Sequence, residues 1–189
     1  IKPLVGSDLW VCDGGDTTSL TLVTALAMDN AGYRHLTELI SRAYQHGQSQ
    51  GRAIVQRSWL KELNAGLILL SGARQGDVGQ ALLNDHADLA RSLLDGWQRD
   101  FPDRFYLEIQ RTGRAGDEDY LHAAVALAAE SGCPLVATND VCFIARNDFE
   151  AHEVRVCINE GRTLDDSRRE RRYSDEQYLK SAGEMAELF

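Results

Sequence analysis

"RFYLEIQRTGRAGDEDYLHAAVALAAESGCPLVATNDVCF", residues 104–143, decides the reading of the fold. Arg104 to Gln110 alternates in the manner of a strand. Gly116 to Gly132 is a helix with both ends marked. Asp117, Glu118 and Asp119 suit the positive end of the helix dipole, and Gly132 supplies a stop. Pro134 to Thr138 is a short apolar run that reads as a buried strand. It breaks into Asn139 and Asp140, with Cys142 two residues further on. Strand, helix and strand at this spacing make a parallel crossover unit.

The same alternation extends outward. Ile1 to Val5 reads as an opening strand, Asp13 to Ser19 as a turn-rich loop, and Leu20 to Ala27 as an apolar segment. Asp29 to Gly47 is a helix, with Leu36, Leu39, Ile40 and Ala43 at helical spacing and Gly47 at its stop. Gly66 to Gly72 is a short buried strand. Gly76 to Asn84 and His86 to Phe101 read as two helices, the second with Leu89, Leu93, Leu94 and Trp97 on one face. A helix covers Asp148 to Gly161, and the final stretch opens with a capping box from Ser174 to Gln177. The class is therefore α/β, with a parallel sheet that is either open or part of a barrel. In both, chemistry gathers at the carboxyl ends of strands, where Asp8, Thr112 and Asn139 to Cys142 are expected. The charged, apolar-poor stretch from Gly161 to Gln177 reads as a lead out of the main domain. This gives a division into 1–160 and 161–189.

Composition narrows the function. The 189 residues suffice for one domain with a real core, and 43 % hydrophobic with 26 % charged residues is a globular profile. A net charge of -9 argues against a free-standing nucleic-acid clamp, although an acidic segment can belong to a larger protein that binds DNA elsewhere. No apolar run approaches the roughly 20 residues that span a bilayer, and no signal-peptide pattern is present. Four cysteines without a close CxxC pair point to a reducing cytoplasm. The chain opens inside a strand without an initiator Met, as a truncated or cleaved product would.

Few residues signal chemistry by themselves. Walker A, GxSxG, GxGxxG and HExxH patterns are all missing. Gly72 to Gly79 is a conceivable phosphate cradle, but it lacks the Lys-Ser/Thr of a P-loop and a strand-to-helix turn is the simpler reading. His122 reads as a satisfied structural histidine. Glu150, His152 and Glu153 read as a cation site or, more simply, as a solvated helix face. The arginines from Arg168 to Arg172 suit phosphate or an acidic partner, yet the interleaved Asp165, Asp166 and Glu170 suit a self-compensating loop. Asp140 and Cys142 are either half of a metal site or the polar end of a turn, because zinc needs three or four ligands.

A resemblance goes further. "IKPLVGSDLWV", "DNAGYRHLTELISRAY", "GLILLSGARQGDVGQALL", "FPDRFYLEIQRTGR", "DYLHAAVALAAESGCPLVATNDVCF" and "RRYSDEQYLKSAGEMAELF" resemble the PHP (polymerase and histidinol phosphatase) domain of bacterial DNA polymerase III alpha subunits from Ile1 to Phe189. The resemblance implies a distorted, TIM-like β/α barrel of about seven strands, here incomplete because about sixty upstream residues, with an HxH motif and first strands, are absent. Residues 1–160 then form the PHP domain and 161–189 the exit toward the polymerase palm.

Metal-binding members carry an acid where this chain has Asp8, histidines where it has Leu22 and Thr112, and an Asp-x-His pair where it has Asp140-Val141-Cys142. The resemblance therefore implies a decayed metal site, with Asp8, Asp140 and Cys142 as vestigial ligands and no catalytic or cofactor-binding residue. No cofactor is implied for the chain itself. Magnesium belongs to the parent polymerase, and zinc or manganese enters only if the PHP site functions. The implied role is a scaffold that braces the polymerase core and docks the proofreading exonuclease and other replicase subunits. DNA is then handled by the rest of the parent chain, in the cytoplasm. A metal-dependent phosphoesterase acting through metal-activated water is the alternative, and a free-standing phosphatase a third. A barrel lacking its first strands exposes an edge, so self-association is also expected.

Overall fold

One mixed sheet organises the chain in the computed structural model, which describes residues 3–15, 17 and 19–189. Its strands are β1 (Gly6–Cys12), β2 (Thr21–Ala27), β3 (Gln48–Ser49), β4 (Arg52–Gln56), β5 (Leu67–Leu70), β6 (Phe105–Gln110) and β7 (Leu135–Thr138). They lie in the order β3-β4-β1-β2-β5-β6-β7, and the sheet does not close into a barrel among the described residues. The helices are α1 (Asn30–His46), α2 (Arg57–Glu62), α3 (Asp77–Leu83), α4 (Ala87–Asp100), α5 (Asp117–Ser131), α6 (Phe149–Glu160) and α7 (Ala182–Leu188).

The α/β class and the β6-α5-β7 unit are as the sequence predicts: β6 and β7 are parallel, with Glu108 opposite Val136 and Gln110 opposite Thr138. The sheet as a whole is not parallel. β2 runs antiparallel to both β1 and β5, because the eight residues between Cys12 and Thr21 are too few for a crossover helix. The opening strand is also displaced. Ile1 and Lys2 lie outside the described residues, Pro3 to Val5 are irregular, and β1 begins at Gly6.

Helix ends follow their side chains. Asp29 caps α1 by accepting from the Gly32 amide at 2.8 Å, and Gly132 ends α5 in the left-handed region. Along α1, Leu36, Leu39 and Ala43 are buried. In α4 the buried stripe is Ala90, Leu94 and Trp97, while Leu89 is half exposed, one helical step away from the stripe. Trp97 stacks on Phe105 at 5.8 Å and donates to Asp77 at 2.9 Å. Each large side chain so buried stabilises the fold by about 1.5–3 kcal/mol. The capping box expected at Ser174 forms a turn instead, and the last helix starts at Ala182 behind a Ser181–Glu184 box.

Strand alternation divides the sheet into two faces. Leu9, Val11, Val23, Ala25, Leu67, Leu69, Phe105 and Leu107 join the helices in the main core. Asp8, Trp10, Leu22, Thr24, Glu108, Gln110 and Thr138 line cavities on the opposite side. The register pairs Asp8 with Thr24 and Trp10 with Leu22. The glycine-rich turn after β5 is a packing device. Gly72 has φ +71°, and a Cβ there would collide with the Leu22 carbonyl oxygen.

Candidate functional site

The polar face of the sheet opens into a cleft of about 840 Å³, whose walls include Asp8, Leu22, Arg114, Asp140 and Cys142. A deeper recess of about 220 Å³ adds Thr24, Glu108, Gln110 and Thr138. The structure thus gathers Asp8, Asp140 and Cys142, the residues expected as vestigial ligands, in one place. Asp140 and Cys142 come from the expected strand end, and Asp8 does not. Asp8 sits in the body of β1, where its carboxylate accepts from the Thr24 hydroxyl at 2.6 Å. Asp140 and Cys142 follow β7, and Asp140 adopts φ +44°, a conformation that Asp tolerates better than most side chains.

An arginine organises this cleft. The Arg114 guanidinium places Nη1 2.8 Å from Asp140 Oδ2, donates from Nε to the Thr112 hydroxyl at 2.7 Å, and reaches Gln110 Oε1 from Nη2 at 3.2 Å. The Thr112 hydroxyl in turn donates to Asp117 Oδ2 at 2.7 Å, and the Thr112 amide donates to the same oxygen at 2.8 Å. Asp117 is buried at the start of α5, with Arg74 Nε 3.0 Å from its other oxygen. From the far side, the fully buried Gln177 donates to Asp140 Oδ2 at 2.9 Å and to its carbonyl at 3.1 Å. Asn139 donates to the carbonyls of Glu176 and Tyr178, and Leu179 to that of Phe143. Residues 174–179 are thereby stitched to the segment that follows β7.

Glu108 is the acid that sequence reasoning missed. Buried in the recess, it accepts from the Thr138 hydroxyl at 2.6 Å. Burial pushes its carboxyl pKa up, and the charge of Asp8 adds to the effect. The signal was present: a glutamate in the middle of an apolar strand. Arg114 and Gln177 lie in loops, where nothing local marks a partner.

This donor set does not suit a metal centre. Leu22 offers no donor atom, and the Thr112 hydroxyl is committed to Asp117. One Asp140 oxygen is held by Arg114 and Gln177. Burial, and then Asp140, raise the Cys142 thiol pKa, which disfavours the thiolate that a metal requires. Among the described residues, no group of three or more His, Cys, Asp or Glu is placed to hold an ion.

The other candidates resolve differently. Gly72 to Gly79 is a strand-to-helix turn, and His122 is exposed, its Nδ1 at 2.7 Å from the Glu118 carbonyl. Glu150 is solvated, but His152 and Glu153 are buried, so the expected open helix face is wrong for those two. They are drawn under the chain that follows α6: Arg169 pairs with Glu153, and Tyr173 meets the His152 ring edge-on at 4.6 Å. Arg168 pairs with Asp166 and Arg172 with Glu160, so the arginine run is largely compensated.

A mixed α/β sheet with polar residues gathered on one face is consistent with a PHP-type fold, and the chain belongs to the PHP domain family, which it matches over residues 1–112. Across all 189 residues it is similar to the DNA polymerase III subunit alpha of Pseudomonas aeruginosa at 57 % identity. It is likewise similar to that of Escherichia coli K12 at 54 % over 191 residues, and to that of Vibrio cholerae at 46 % over 189. Each alignment takes in the whole of this chain but only 16 % of the relative's length. No helix among the described residues is long and apolar enough to cross a membrane.

Proposed function

We propose that this chain is the PHP domain of a DNA polymerase III alpha subunit, and that it serves that polymerase as a metal-free scaffold. The parent is then a cytoplasmic, magnesium-dependent, DNA-directed DNA polymerase. This domain, residues 1–160 with the exit segment 161–189, braces its core and docks the proofreading exonuclease and other replicase subunits. The observation that carries the reading is Arg114. One guanidinium links Asp140, Thr112 and Gln110, and Asp140 passes the tie on to Gln177 in the chain leading out of the domain. A fixed cation of the protein holds together loops that a bound metal would otherwise join. Within this framework Asp8 is held by Thr24, and Asp140 by Arg114 and Gln177.

The test is metal content and affinity of the full-length protein for Zn²⁺ and Mn²⁺, read beside its binding of the exonuclease subunit. The expected result is no stoichiometric metal, with Arg114→Ala lowering both thermal stability and exonuclease affinity. Stoichiometric, tight binding that Asp140→Asn abolishes would replace the scaffold with the metal-dependent phosphoesterase reading.

A further inference from the structure

The chain after α6 is fastened in an unusual way. From Gly161 to Tyr173 it forms neither helix nor strand. Its root is fixed by amides of Gly161 and Arg162 on the carbonyls of Ile158 and Cys157. Beyond that, the backbone bonds are internal, from Asp166 to Thr163 and from Arg169 to Asp166. No backbone hydrogen bond ties residues 163–173 to the rest of the described chain. The segment's one aliphatic side chain larger than alanine, Leu164, is exposed, so the core does not hold it either.

What holds it is side-chain chemistry of an expensive kind. Glu153 and Arg169 form an ion pair in which both side chains are more than nine-tenths buried, at 7 % and 6 % exposure. The pair is incompletely satisfied: Glu153 Oε1 and Arg169 Nε have no partner, and neither has Nε2 of the neighbouring His152. Three orphaned polar atoms beside a desolvated ion pair offset much of what the pair contributes. Opening returns all of them to water. The outer ties are lighter: Arg172 to Glu160 is a pair at the surface, and Tyr173 meets the buried His152 ring edge-on.

The same segment forms a wall of the cleft. Glu170, Arg171, Arg172, Tyr173 and Ser174 face a cavity whose other side holds Asp8, Arg114, Asp140 and Cys142. We propose that residues 162–173 are a strap over the cleft, latched by Glu153–Arg169, which swings between Gly161 and Ser174 to open the cleft as a unit. Gly161 sits in the left-handed region with open space where a Cβ would be, which suits the root of a moving segment. At the other end, Ser174 is anchored through its hydroxyl to the Thr112 carbonyl and through its amide to Gln177. The strap thus ends where the Arg114 network begins, so that network stays intact when the cleft opens.

Cys142 reports on the motion. It lines the cleft, whereas Cys12, Cys133 and Cys157 are buried and do not line it. The experiment is hydrogen exchange by mass spectrometry on the full-length protein, paired with the alkylation rate of Cys142. Glu153→Gln keeps the shape and removes the latch charge. It is expected to speed exchange across 162–173 by at least tenfold and Cys142 alkylation in parallel, with β6 and α5 unchanged. Arg172→Ala cuts only an exposed tie, leaves the core untouched, and is expected to give a smaller rise in both readouts. Unchanged strap exchange in both variants would overturn the proposal. So would faster strap exchange with constant Cys142 reactivity, which would make the strap loose but not a gate. Exchange rising throughout α6 would overturn it as well, by making the pair part of the helix rather than a latch.

Discussion

Arg114→Ala is expected to destabilise this chain by about 3 kcal/mol, and the figure follows from what the guanidinium touches. Hydrogen bonds to charged groups contribute about 1.5–3 kcal/mol each, and truncating one partner of a buried pair costs about 3–5 kcal/mol. Here the donor side chain is mostly buried at 12 % exposure, but the Asp140 side chain is 36 % exposed and can take up water when its partner leaves. The Thr112 hydroxyl keeps its bond to Asp117, and the 3.2 Å contact with Gln110 is long. The lower end of the range therefore applies. For a domain of this size about 3 kcal/mol corresponds to a fall in Tm of roughly 6–12 °C. Arg114→Lys keeps the charge yet cannot reach three acceptors in the fork of a guanidinium, so roughly half the loss should persist. Urea denaturation of Arg114→Ala, Asp140→Asn and the double variant would give the coupling directly, expected at about 1–2 kcal/mol. An Arg114→Ala variant within about 0.5 kcal/mol of the parent, or zero coupling, would refute the claim that this residue ties the cleft together.

Three further outcomes are expected. Glu108, with its folded pKa raised by burial, favours the fold when protonated; that contribution is complete below the ordinary glutamate range and is lost as pH rises through the folded value. Glu108→Gln should therefore be more stable than the parent at pH 7, with the gap closing toward pH 4 in urea melts, and a constant gap would contradict the assignment. Gly72→Ala, forced to hold φ +71° against the Leu22 carbonyl, should cost about 2 kcal/mol or more in thermal melts, and a neutral result would mean the turn can relax. Gln177→Ala removes two donations to Asp140 and the acceptor for the Ser174 amide from a fully buried position. It should cost about 2–3 kcal/mol and raise hydrogen exchange at 174–179, and protection equal to the parent would show that the backbone alone holds that segment.

Much of this fold could be read from the chain because its helices announce their ends. Asp29, Gly47 and Gly132 act as caps where the spacing placed them, and "RFYLEIQ" and "PLVAT" are strands. Where a helix lies between two strands their direction could be read, as for β6 and β7; for β2 it could not, since alternation looks the same in parallel and antiparallel ladders. The short β4, "RAIVQ", gave no clear period between a two-residue strand and a short helix. At the cleft, the sequence pointed to Asp8, Asp140 and Cys142 because family resemblance marks positions. It did not point to Arg114 or Gln177, because their partners are set by how loops fold over one another. His152 and Glu153 carried the opposite signal: charged residues on a helix suggest solvent, but Phe143 and Tyr173 pack on the His152 ring, and Arg169, sixteen residues later, reaches Glu153.

The inverted direction of β2 divides the labour around the cleft. The antiparallel ladder of β1 and β2 supplies Asp8, Leu22 and Thr24 from within its strands, so this part of the floor belongs to the sheet and the rim to loops. Insertions and deletions in residues 162–173 can then remodel the rim without disturbing the floor. The floor obeys a different arithmetic. A slip of one residue in the β1–β2 register would carry Asp8 into the position of Leu9, among the helices, and turn an apolar side chain outward in its place. Floor residues can then change identity but not address, and such a cleft can change its chemistry one side chain at a time while its shape is kept.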